Sequence, residues 1–401
     1  NANMALKYLE ESTSGALFPS RYAYKYLERG MKFVGWLPPA RSSGFYWIYK
    51  MWSAIILFSM TIYLPLAFFG SYLIDFESFT PGDFLTSVQV AFNAACLALK
   101  IFVLVPHMHL FELAKQTLDV MDERCVLPQE RNEVHRCVAR CNFIYMIYQG
   151  VYSSYATLTY LSSAITGSTP WGFYLPFVDY RDGVKSFWIA ATVEYIIGSA
   201  AVYSDQMIDI YPVVFGNLLR THLKLLTARV QRLRTTPGET DDQSHNELVR
   251  CIKDHKLLLQ FCDVFRPVIS GTIFAQFLVI GLGLGLSMMN LLFFSNLLTG
   301  LATTAFIVVL MIETFPFCYI CELIEEDCIK LTSVIFHSNW IDADKRYKST
   351  LVYFLHQTQQ SINFIAGGIF PISMKTNIEV AKLAFTVVTV VKQMNIVEKL
   401  M

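Results

Sequence analysis

Two stretches of this 401-residue chain carry no charged side chain at all, residues 141–178 and 267–312. At 1.5 Å of rise per residue, each exceeds the roughly 20 residues that cross a bilayer, and the second is long enough to cross twice around a tight turn. Segments 51–74, 84–105 and 187–216 are also of spanning length, the last two with isolated charges. With 54% hydrophobic and 16% charged residues, the chain is apolar throughout rather than in one patch. The pattern predicts an all-α polytopic membrane protein forming one domain, 1–401, with spans near 45–74, 84–106, 141–165, 187–216, 268–293, 297–320 and 379–395. No second soluble domain, internal repeat or low-complexity tract is visible, and nothing in the charge pattern points to nucleic acid.

The last span is weak. Lys382 and Lys392 bracket only nine uncharged residues, 383–391, too few for a lipid-facing helix. Such a segment belongs inside the protein, where its polar face can meet water. Hydropathy alone leaves six spans as an alternative.

The net charge of zero hides an asymmetry. Twenty-six Lys and Arg residues fall before the first span or in the loops after the second, fourth and sixth, against Arg181 and Lys185 on the other side. The positive-inside rule therefore places the N-terminus in the cytosol, and seven spans put the C-terminus outside. All nine cysteines fall in spans or on the inferred cytosolic side, so no extracellular disulfide framework is expected. Cys318-x-x-Cys321, with Cys328 nearby, has zinc spacing but no matching second pair, and is read as packed thiols; no cofactor or metal is expected. No cleavable signal peptide precedes the first apolar run.

Residues 235–244 (TTPGETDDQS) read as a linker. On either side, Leu218, Leu219, Leu223, Leu226 and Val230, then Leu248, Cys251, Ile252, His255, Leu258 and Leu259, recur at helical spacing among basic residues. They read as cytosolic continuations of the fourth and fifth spans, either solvated helix ends or a packed assembly surface. Residues 351–365 are helical in pattern. Segments 217–266 and 322–378 are thus assigned to a cytosolic anchor.

On the last helix, Thr386, Thr389, Val390 and Gln393 share a face, giving a stripe of polar groups around one apolar position. An apolar ring that gates by dewetting beside groups that wet the path is channel chemistry. The bland alternative is a buried helix whose threonines bond their own backbone. Asp205, Asp209 and Glu313 are costly membrane acids, expected to pair with basic residues near the interface rather than to hold a proton or ion.

The C-terminal third resembles a known family. Ser338-Asn339-Trp340 with Lys345-Arg346-Tyr347-Lys348 is similar to the segment before the last helix of insect odorant receptors. The run from Ala366 to Ser373 (AGGIFPIS) resembles that family's Ala-Gly-Gly-Phe-Phe-Pro-Val-Ser turn. Its terminal Thr-Tyr, five hydrophobics, Gln-Phe signature is matched by Thr386 and Gln393, with Val387, Lys392 and Met394 departing from it. Phe187-Trp188, the run from Leu218 to His222, and that from Cys251 to His255 are also similar to family segments.

The resemblance implies a ligand-gated non-selective cation channel, tetrameric, in which an odorant-tuned subunit joins a common co-receptor in the plasma membrane of an olfactory neuron dendrite. It implies Val390 at the gate and Gln393 one turn outward. It places the ligand among the outer halves of spans two to six, where Phe92, Ser154, Tyr155, Leu158, Tyr195, Ser199, Met288, Met289, Thr303 and Phe306 are candidates. Such a lining suits a small neutral volatile, aromatic or heterocyclic. Alternatives are a gustatory-type chemoreceptor channel, a G-protein-coupled receptor or a transporter. Asp-Arg-Tyr and Asn-Pro-x-x-Tyr motifs are missing, no repeat suggests a transporter, and no clustered His, Asp or Glu suggests an enzyme.

Overall fold

The structure, a computed structural model of the chain, describes residues 17–39, 42, 44–74, 79, 81–236, 238 and 240–393. Among these residues the protein is helical apart from one two-residue hairpin. A 3-10 turn, Ser20–Tyr24, leads into α1 (Lys25–Phe33), followed by α2 (Tyr46–Ile74) with a π turn at Ser59–Tyr63. Then come α3 (Pro81–Leu104), α4 (His109–Glu123), α5 (Pro128–Thr166), α6 (Val184–Gln231), α7 (Asp241–Phe293) and α8 (Leu297–Phe336). The chain closes with α9 (Lys345–Thr358), β1 (Ile365–Ala366), β2 (Phe370–Pro371) and α10 (Met374–Gln393). Met394, in the terminal motif, lies outside the described residues.

Helices α5 to α8 run 39, 48, 53 and 40 residues. At 1.5 Å per residue they are about 60–80 Å long, twice the thickness of a bilayer core. Each therefore carries its apolar stretch without a break into an amphipathic extension, and these extensions pack together at one end of the bundle. Five helices, α2, α3, α6, α7 and α8, are long and apolar enough to cross a membrane. Helices α5 and α10 are not among them, for different reasons. Tyr145, Tyr148, Tyr152 and Tyr155 make α5 polar by composition, but all four are buried inside the bundle, where Tyr148 donates to the Ile312 carbonyl at 2.8 Å. Helix α10 is short and charged, as the sequence suggests.

Two sequence readings need correction. The break between the fourth and fifth helices ends sooner than 244. Thr240 caps α7 by accepting from the Gln243 amide, while Gln243 returns a bond to the Thr240 amide, so Asp241 and Asp242 fall in the first helical turn, where the helix dipole favours them. Likewise the helix assigned to 351–365 begins at Lys345, because Asp344 accepts from the Tyr347 amide at 2.8 Å, and it ends at Thr358. Residues 365–371 instead form the hairpin, turning through Gly367 and Gly368, both with positive φ. A Cβ on Gly367 would sit 2.6 Å from the Phe274 ring, so the turn needs glycine both for its conformation and for its approach to α7.

The extension end holds the densest ionic network. Arg229 on α6 donates to Glu130 at 3.3 Å and to Asp254 at 3.0 Å; Arg124 binds Asp254 and Glu247; Arg232 reinforces Glu130 at 2.5 Å. Arg220 reaches Asp327 on α8 at 2.7 Å. His255 is buried nearby with its ring edge-on to Phe354, and burial pushes its pKa down to about 4. Below about pH 6.5 the unfolded chain binds a proton at this ring that the folded protein refuses until near pH 4. Stability therefore falls as pH drops through that window, by on the order of 1–2 kcal/mol near pH 5. Thermal unfolding of the detergent-purified protein should show a lower midpoint at pH 5 than at pH 7. His255→Leu should reduce that difference.

Candidate ligand cavity and outward-facing last helix

At the opposite end, the segment between α5 and α8's partner α6, residues 167–183, folds back into the bundle instead of lying over it. Trp171 and Phe173 are buried. The anchor is Glu194 on α6, wholly enclosed, whose carboxylate accepts from the backbone amides of Trp171 at 3.0 Å and Gly172 at 3.1 Å. The Trp171 indole donates to the Tyr155 hydroxyl at 3.3 Å, the Tyr174 amide bonds the Ala67 carbonyl at 3.1 Å, and Ser163 holds the Ser168 carbonyl at 2.5 Å. Gly198, one turn below Glu194, leaves room for the Trp171 ring: a Cβ there would come within 2.2 Å of it.

This fold-back encloses a cavity of about 410 Å³. Its walls come from α3 (Thr86, Ser87, Gln89, Val90), α5 (Tyr155, Thr159, Ser162, Ser163), α6 (Ala190, Glu194), α8 (Thr299, Ala302, Thr303, Phe306) and the 168–181 segment. Asp83, Asp179 and Arg181 stand at its edge. The Tyr155 and Phe306 rings pack against each other, centroids 5.3 Å apart, and close the inner end above a smaller void of about 50 Å³. The volume suits a drug-sized or smaller organic molecule, and the lining pairs aromatic surface with hydroxyl and amide groups.

Three expected residues, Tyr155, Thr303 and Phe306, line this cavity; seven do not. Ser154 is exposed on the outer face of α5 with its hydroxyl bonded to the Gly150 carbonyl, and Leu158 is half-buried. Tyr195 lies tilted against Tyr160 with ring centroids 4.7 Å apart, outside the cavity lining, and the buried Ser199 hydroxyl, also outside it, has no hydrogen-bond partner among the described residues. Phe92, Met288 and Met289 are half-buried among helices. Their places outside the cavity have a common cause. Hydropathy locates a span but not its rotation, and a choice one residue off turns a side chain by about 100°. On α7 the inward positions are Ser287 and Asn290, which bond Gln89 at 2.9 Å and Thr86 at 2.7 Å and close the wall from behind. Sequence reasoning missed Gln89, Ser162 and the whole Trp171 segment. The only signal for the last was that the uncharged run continues to Val178, well past the end of its span.

Asp205 and Asp209 do pair with a basic residue. Lys100, buried in α3, donates to Asp205 at 2.8 Å and Asp209 at 3.3 Å, while Glu313 has no hydrogen-bond partner among the described residues.

Helix α10 packs only one face on its own chain. Asn377, Ala384 and Val388 are buried against α7 and α8, with Asn377 donating to Thr314 at 2.9 Å. Thr386, Val390 and Gln393 are exposed and Thr389 partly so. These residues lie about 100–180° around the helix from Ala384 and Val388. Both threonines bond their own backbone at 2.9 Å, yet the helix is not buried.

The family model described as 7tm Odorant receptor matches residues 80–385. Odorant receptor 42b of Drosophila melanogaster is 48% identical over 380 residues, 95% of each chain, and Odorant receptor 98a of the same organism is 46% identical over 397 residues, 99% of each. The solved structure of the insect olfactory receptor OR5 from Machilis hrabei in complex with eugenol superposes with a TM-score of 0.73 at 14% identity, covering 94% of this chain and 100% of that one. A second solved structure of the insect olfactory receptor OR5 from Machilis hrabei gives 0.72 at 13% identity, covering 94% of this chain and 98% of that one.

Proposed function

Because this chain belongs to the insect odorant receptor family, whose members form ligand-gated cation channels, we propose that it is an odorant-tuned subunit opened by a small neutral volatile in the 410 Å³ cavity. The observation that carries this reading is the fold-back segment. It buries Trp171 over a lining of Tyr155, Phe306 and Thr303, and it satisfies Glu194 with two backbone amides, so this acid's charge is spent on the wall rather than on the ligand. An aromatic or heterocyclic volatile with one hydrogen-bonding group matches that surface.

In this reading the N-terminus is cytosolic and the extension end forms a cytosolic anchor shared between subunits. The uncovered face of α10, with Thr386, Thr389, Val390 and Gln393, borders the pore of a heterotetramer made with the co-receptor in the plasma membrane of the sensory dendrite. Val390, 46% exposed in the lone chain, supplies the apolar ring position. Helix α8 links cavity to gate: Thr303 and Phe306 touch the ligand space, and Thr314, further along the same helix, holds Asn377 of α10. A ligand that shifts α8 therefore pulls directly on the last helix.

Co-expression with the co-receptor should yield an odorant-evoked cation current that survives block of G-protein signalling. Equal current from the chain expressed alone would refute the tuned-subunit reading. Phe306→Ala and Tyr155→Ala should each reorder the potencies of a volatile panel by about ten-fold or more, the equivalent of 1.4 kcal/mol. Currents evoked by a direct co-receptor agonist should be unchanged. If both responses decline together, the ligand lies elsewhere.

A further inference from the structure

Below the Tyr155–Phe306 floor the bundle encloses three carboxylates and one ammonium. Lys100 stands against Asp205 and Asp209, and Asp209 also accepts from the Tyr152 hydroxyl at 2.6 Å and from the Gln276 amide. All of these side chains are buried, Lys100, Gln276 and Glu313 completely. Glu313 has no hydrogen-bond partner on either oxygen among the described residues, and the carbonyl oxygen of Gln276 has none either. One oxygen from each of Asp205, Asp209 and Glu313 lies within 4.8 Å of the others.

We propose that Asp205, Asp209 and Glu313 form a binding site for one small hard cation, Na⁺ or Ca²⁺, beneath the ligand cavity. Three acids against a single lysine leave negative charge in excess, and an enclosed carboxylate with neither donor nor counter-charge is among the costliest groups to bury. The spacing of the oxygens fits a shell of ligands about 2.3–2.6 Å from a central ion, across which opposing oxygens stand about 5 Å apart. Gln276, on a different helix, meets Asp209 through its amide nitrogen, and its buried carbonyl oxygen is without a partner among the described residues. Carboxylate and carbonyl ligands select hard cations over soft ones. An ion here would tie α6 to α8.

The position gives the ion a consequence. Asp205 lines the small void that also touches Tyr155, Trp171 and Phe306, so odorant and cation share walls. Glu313 immediately precedes Thr314, the partner of Asn377 on α10. Regulation of the odorant response by this ion rests on the channel reading above, whereas the site itself does not.

The test is therefore made without current. The full chain, purified in detergent at fixed pH and ionic strength, is unfolded thermally with choline chloride replaced stepwise by NaCl or, in a second arm, by CaCl₂. The midpoint should rise by several degrees in one of the two arms, as expected when a ligand binds only the folded state. The rise should vanish in Glu313→Gln and persist in Glu326→Gln, an exposed acid on the same helix. Should Glu313→Gln not fold, Asp205→Asn serves in its place. A wild-type midpoint equal in choline, sodium and calcium would overturn the proposal. So would a rise that survives both Glu313→Gln and Asp205→Asn. A silent channel would leave this site standing, and its failure would leave the channel reading standing.

Discussion

Gly198→Val should raise the odorant concentration for half-maximal current by at least about ten-fold while leaving the current from a direct co-receptor agonist intact. Even the first carbon of the new side chain would lie 2.2 Å from the Trp171 ring, with two further ring atoms at 2.4 and 2.7 Å. Contact that close cannot be absorbed, so the indole must leave. The ring is held from two directions, by its backbone on Glu194 and by its indole on Tyr155. Moving it disturbs the wall and the floor of the cavity together. Because the anchor end and α10 are untouched, assembly and pore should survive. Dose–response curves for the odorant and the co-receptor agonist in the same cells check this, and an unshifted odorant curve would remove the fold-back segment from the ligand site.

The second large effect is on folding rather than sensing. Arg229→Met should cost about 3 kcal/mol, because it withdraws a buried guanidinium shared by Glu130 and Asp254 and leaves both acids short of a partner. Arg232 and Arg124 still reach those acids, which keeps the loss from being larger. Surface biotinylation should show a steep drop in protein at the membrane. The channels that do arrive should keep the wild-type odorant sensitivity, since the network sits at the far end of the bundle from the cavity. A change in sensitivity with normal surface level would instead give Arg229 a part in gating.

How far the sequence reached differs from residue to residue. Tyr155, Thr303 and Phe306 are legible as cavity candidates because each adds an aromatic ring or a hydroxyl to an uncharged helix in the outer half of the bundle. Met288 and Met289 are candidates for their soft, adaptable side chains, but they lie outside the cavity because the neighbouring Ser287 and Asn290 turn inward to bond α3. The acids at 205, 209 and 313 stood out as costly, but that Lys100 would meet two of them, 105 and 109 residues away, depends on how α3 lies against α6. The Trp171 segment looked like a loop because nothing local tells a buried connection from a surface one.

From contiguous residues alone come the solvent this protein folds in, the places of its long apolar helices and the family to which it is similar. Those follow from the length of apolar runs, the sidedness of charge and short local motifs, all of which are properties of contiguous residues. Which face of each helix turns inward, how the fold-back segment roofs the cavity, and which face of α10 is left uncovered follow from the packing of the whole bundle. Each of those depends on rotation about a helix axis and on contacts between residues distant in the chain. In an apolar environment nearly every rotation buries similar surface, so a few buried hydrogen bonds and close-fitting glycines select among them.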